Sequence, residues 1–128
     1  MPIQVRVDET RGLVELVFAG ELTDSEFKET VNRYLLEPFA AFPLGLFDLT
    51  DVTVMDVSAE SVRNVARRVS LHVDSRLEEG KLAIVAPRDL LFGMARMYEM
   101  LRDDSPVEVR VFRERDEAES WLAGRGRS

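Results

Sequence analysis

The chain contains no cysteine among its 128 residues. Thiol catalysis, thiolate metal sites and a disulfide framework are therefore excluded, and a reducing compartment fits. It has one histidine, His72, so imidazole clusters are excluded too. No apolar run approaches the length of a membrane span. The opening "MPIQVRVDE" has no cationic region followed by an apolar stretch, so no secretory signal is expected and the cytoplasm is the default. A positive charge excess is also missing. The net charge of −7 sets the chain apart from nucleic-acid binding domains, which carry basic patches on basic backgrounds. There is no Gly-rich phosphate loop, no nucleophile–base pair and no metal-ligand spacing. The reading is accordingly of a non-enzyme with no cofactor and no bound metal.

What remains is an ordinary globular composition, with enough length for one domain and one core. Residues Ile3 to Asp8 alternate apolar and polar, which predicts a half-exposed edge strand. "DETRG" is a turn ending in Gly12, and Leu13–Ala19 is a second, more apolar strand, giving a hairpin. Thr23 and Glu26 of "TDSE" form a capping box, followed by Phe27, Val31, Tyr34 and Leu35 at helical spacing. Leu44–Leu49 is the third strand, followed by a valine- and methionine-rich turn. Ser58 opens the next helix, with Val62, Val65, Ala66, Val69 and Val73 as its apolar stripe. Leu82–Ala86 is a continuous apolar run, as in a buried central strand. Pro87 opens a helix bearing Leu90, Leu91, Met94, Met97, Tyr98 and Leu101 on one face. Val107, Val109 and Val111 alternate as an edge strand. The last helix starts at Asp116 as cap and ends at Gly124. The order is β-β-α-β-α-β-α-β-α, an α/β fold with a five-stranded, mostly parallel mixed sheet. The domain spans 1–123, and 124–128 is a flexible tail.

This order, with three local features, resembles the STAS domain of anti-sigma-factor antagonists, in its SpoIIAA-like (STAS/SEC14) branch. "ELVFAGELT", Glu15 to Thr23, is similar to the family's second strand running through Gly-Glu-Leu into the first helix. "FDLTDVTVMDVSAES", Phe47 to Ser61, resembles the strand, Asp-Leu-Ser/Thr and Met-Asp-Ser-Ser-Gly loop. "VRVFRERDEAESWL", Val109 to Leu122, resembles the branch's closing pattern, and "FGMARMYE" supports the same assignment. The resemblance covers nearly the whole chain. It implies that Ser58 occupies the phosphoacceptor position, with Asp56 as the motif's aspartate. Val57 stands where the motif has its first serine, and Ala59 where it has glycine.

Two readings of Ser58 follow. As a helix cap its oxygen satisfies one orphan N–H. As a phosphoacceptor it would hold a dianion at a helix N-terminus, favoured by the dipole and opposed by Asp48, Asp51, Asp56 and Glu60. Arg63 and Arg67, with Arg68, form a basic patch on an acidic chain. The family resemblance makes this helix and the loop before it (Asp56, Val57, Ala59, Arg63, Arg67) the face turned to a protein partner, a regulatory kinase or anti-sigma factor. The alternative is a small apolar-ligand binder. Phe39, Phe42, Phe92, Met94 and Met97 are the pocket candidates, and the SEC14 side of the resemblance implies lipid-like ligands. A homodimer through a sheet edge or helix face is a third reading.

Overall fold

The computed structural model describes residues 3–35, 42–72 and 79–124. The strands are β1 (Ile3–Asp8), β2 (Leu13–Thr23), β3 (Leu44–Asp56), β4 (Gly80–Val85) and β5 (Val107–Phe112). The helices are α1 (Asp24–Leu35), α2 (Ala59–His72), α3 (Asp89–Leu101) and α4 (Arg115–Leu122). The strands lie in the order β1-β2-β3-β4-β5. β1 pairs antiparallel with β2, and every other pair is parallel. The α/β class, the mixed five-stranded sheet and the element order agree with the sequence reading.

The hairpin closes at Gly12, whose φ of 65° is left-handed. A Cβ there would meet the Pro43 ring at 3.2 Å, so glycine serves both the turn and the close approach of β3. One side of the sheet buries Leu16, Phe18, Leu49, Val52, Ile84 and Val109 against Val31, Val62, Val65, Leu91 and Tyr98 of the first three helices. The other side packs Leu13, Leu46, Ala83 and Val85 against Ala118, Trp121 and Leu122 of α4. Sheet strands buried on both sides read as continuous apolar runs, which explains Leu82–Ala86.

Several element boundaries differ from the sequence reading: β4 starts at Gly80, α3 starts at Asp89 and not at Pro87, and two differences are larger. β2 and β3 are much longer than Leu13–Ala19 and Leu44–Leu49. The segment expected as a turn after Leu49 is strand: Ala19 to Thr23 pair with Asp51 to Asp56 in parallel register. Irregularities between Val17 and Ala19 and between Gly20 and Glu21 shift that register, and Gly20 has a φ of 74°. Such bulges interrupt the two-residue alternation by which a strand is recognised. The second difference concerns α4, which begins at Arg115 with Glu114 as N-cap and no side-chain capping bond. Asp116 lies inside the first turn, where its charge complements the helix dipole instead of capping it. Gly124, with a φ of 79°, ends the helix as expected.

Candidate functional site

The parallel pairing of β2 with β3 sets Thr23 beside Asp56. The helices that follow these strands therefore begin side by side. At the start of α1 the capping box forms: Glu26 N–H donates to the Thr23 hydroxyl, and Thr23 N–H donates to the Glu26 carboxylate. At the start of α2, Ser61 N–H donates to Ser58 Oγ at 3.1 Å, and Val62 N–H donates to the Ser58 carbonyl. Ser58 is thus a helix N-cap, and its hydroxyl donates to the buried Ser61 Oγ at 3.2 Å.

The two helix starts are tied by Asp24. Its carboxylate accepts from Ser58 N–H at 2.7 Å. That bond, with smaller help from the Ser61 and Ser58 hydroxyls, holds the Asp24 carboxyl below its usual 3.8. An anion already occupies the place that the N-terminus of α2 favours. Asp24 is a site residue that the sequence reading did not single out. It looked like filler inside a capping box, and its partner is 34 residues away.

The other loop residues fall as follows. Asp56 ends β3 and is exposed, as are Ser58 and Ala59. Val57 is half-buried and helps line an apolar cavity of about 50 Å³ with Phe27, Met55, Val62 and Met94. Arg63 and Arg67 are exposed on α2, and among the described residues neither meets a carboxylate. Arg68 donates to Asn32 of α1 at 2.6 Å.

The apolar-pocket candidates are not gathered in one place. Met94 lines the cavity at the Val57 end of β3. Phe42 lines a second cavity of about 40 Å³ at the opposite end of that strand. Phe92 carries the Arg113 guanidinium over its ring at 4.2 Å. Met97 packs half-buried against the core, and Phe39 lies outside the described residues. Both cavities are far smaller than the roughly 300 Å³ or more of an ordinary ligand site.

On the other side of the sheet lies a charged cluster that the sequence reading also missed. Glu15 and Asp48, on neighbouring strands, are 8 % and 7 % exposed. The Arg115 guanidinium donates to both, at 2.9 Å to Asp48, and to Glu119 of its own helix. Burial pushes the Asp48 carboxyl up. The Thr50 hydroxyl and N–H and the Arg115 guanidinium outweigh that and hold it below 3.8. Arg115 is in turn held more firmly charged by Glu15. The cluster clasps α4 to the sheet. Among the described residues no group of acidic or imidazole side chains could hold a metal ion. No helix among them is long and apolar enough to cross a membrane.

A solved structure matches this architecture over nearly its whole length. It is a DUF3478-family protein from Shewanella loihica PV-4 described as having a SpoIIAA-like fold. The match covers 94 % of this chain and 91 % of that one, with a TM-score of 0.57 and 18 % identity. The fold is SpoIIAA-like. No protein-family model and no curated protein matches the chain. Ser58 sits at the loop joining β3 to α2 in this fold.

Proposed function

We propose that this SpoIIAA-like domain is a non-catalytic regulatory module that presents the Asp56–Ser58 loop and α2 to a protein partner. The partner fits the class of a regulatory kinase or anti-sigma factor. One observation carries the reading: Asp24 of α1 accepts from Ser58 N–H at 2.7 Å and so couples two helix starts through the loop. A phosphate on the exposed Ser58 hydroxyl would bring about two negative charges against that carboxylate. Like-charge repulsion would displace Asp24 and change the relation of the loop to α1. The same helix N-terminus would hold the phosphate through its N–H groups. A lipid-like ligand finds less support, because about 50 Å³ beneath Val57 holds no acyl chain without rearrangement.

The test is the intact mass of the protein purified from its own host under denaturing conditions. A gain of about 80 Da that maps to Ser58 and is absent in Ser58→Ala supports the switch. An unmodified mass through growth and starvation, with Ser58→Asp and wild type behaving alike toward any bound protein, contradicts it.

A further inference from the structure

The flank of α3 beside α2 carries an apolar seam whose middle, Met94 and Met97, packs against the core and whose two ends stand clear of it. Leu90, Met94, Met97 and Leu101 recur at intervals of four, three and four, so they share one side of the helix. The core-facing side is a different one, formed by Leu91, Ala95 and Tyr98. Met94 lines the apolar cavity together with Val62 and Val65 of α2, which puts the seam on the α2 side. The opposite flank bears Phe92, which faces Arg113. The seam rises out of the core: Leu90 is 63 % exposed and Leu101 is 43 % exposed. It runs for about 17 Å, three helical turns.

The facing wall belongs to α2. Ser70 accepts from Arg102, just past the end of α3, and so marks the side of α2 turned to α3. Arg63 and Arg67 precede Ser70 by seven and three residues, which sets them along the same border. Neither has a carboxylate partner among the described residues, in a chain with 24 acidic residues against 17 lysines and arginines. The α2–α3 surface thus sets the exposed leucine ends of the seam beside two exposed guanidinium groups with no carboxylate partner among the described residues.

We infer that the α2–α3 surface docks an acidic amphipathic helix of a partner protein, with its apolar stripe on the Leu90–Leu101 seam and its carboxylates on Arg63 and Arg67. This names the partner's chemistry for the surface proposed above and rests on that surface facing a protein. A helix of about three turns matches the seam's length. Apolar residues at helical spacing would meet the leucines, as in other helix-in-groove complexes. Arginine suits the carboxylate side because its planar fork binds carboxylates in pairs.

The test is selection from a displayed library of helical peptides against the intact protein. The peptides have leucine fixed along one stripe and free residues at the flanks. The selected flanks should be rich in Asp and Glu. Binding should fall roughly tenfold or more in Leu90→Gln/Leu101→Gln and in Arg63→Glu/Arg67→Glu. The four positions are exposed, so these variants fold. Selected flanks without acidic bias, no binders, or binders indifferent to both variants overturn the inference. So does seam-dependent sedimentation with vesicles containing phosphatidylserine when no peptide binds, because the patch then serves a membrane surface. Ser58→Asp, assayed in parallel, separates the two proposals. Unchanged peptide binding there leaves the docking surface standing and counts only against the switch.

Discussion

At the scale of single residues, Ser58 and Arg115 do different kinds of work. Ser58 satisfies the Ser61 N–H, and Ser58→Ala leaves that donor without its capping oxygen. The expected loss is about 1 kcal/mol in urea unfolding. Ser58→Asp keeps an acceptor at the cap, so its stability should stay closer to wild type despite the nearby Asp24. Any larger functional effect of Ser58→Asp then reports charge and not folding. Arg115 is the counter-ion of two buried carboxylates. Arg115→Met leaves Asp48 without its guanidinium and Glu15 with Arg6 at 3.7 Å, at a cost of about 2 kcal/mol once the guanidinium's partial exposure is allowed for. The pH dependence separates this from lost packing. In the wild type the Asp48 carboxyl lies below 3.8. Its contribution is fully present above that value and is lost as pH falls through the lower folded value. In Arg115→Met the Asp48 carboxyl keeps its Thr50 hydrogen bonds but loses the guanidinium, so it rises from that lowered value. The variant's deficit should therefore narrow on acidification from about pH 7 to about pH 4. A deficit constant across that range would assign Arg115 to packing alone.

At the scale of elements, local signals were legible and distant pairings were not. The Thr23–Glu26 capping box, the Ser58 cap and the edge strand at Ile3–Asp8 are written within a few residues and form as read, although Val5 and Val7 are exposed along with their polar neighbours. The extension of β2 and β3 is not. Val52 is fully buried while Val54 is half exposed, and the shifts near Gly20 hide the strand from any test of alternation. Asp24 reaches Ser58 across 34 residues, and Arg115 reaches Glu15 across 100. Each of these side chains sits in a polar stretch that looks solvated when read alone. Phenylalanine and methionine stripes mark the core without saying which share a cavity, so the pocket candidates separated to opposite ends of β3. One element-scale prediction follows from Gly12. Gly12→Ala forces a side chain into a left-handed turn and against Pro43, and should cost about 1–2 kcal/mol. A thermal midpoint unchanged from wild type would mean that the hairpin tolerates another turn.

At the scale of the whole molecule, charge and exposure are unevenly distributed. One side of the sheet is closed by α4 and its arginine clasp. The other side ends in a loop at the tips of two parallel strands, where ligands of open α/β sheets commonly sit. There Ser58 and Asp24 meet at two helix starts, and Arg63 and Arg67 continue along α2 toward its middle. The central claim is that this end of the molecule faces a protein. Site-specific photo-crosslinking in the native host tests it most directly, with the photoreactive residue at exposed Glu60 on α2 or at exposed Glu108 on β5. The account predicts a discrete protein adduct from position 60, altered in Ser58→Asp, and none from position 108. No adduct at position 60, or the same adducts from both positions, would contradict it.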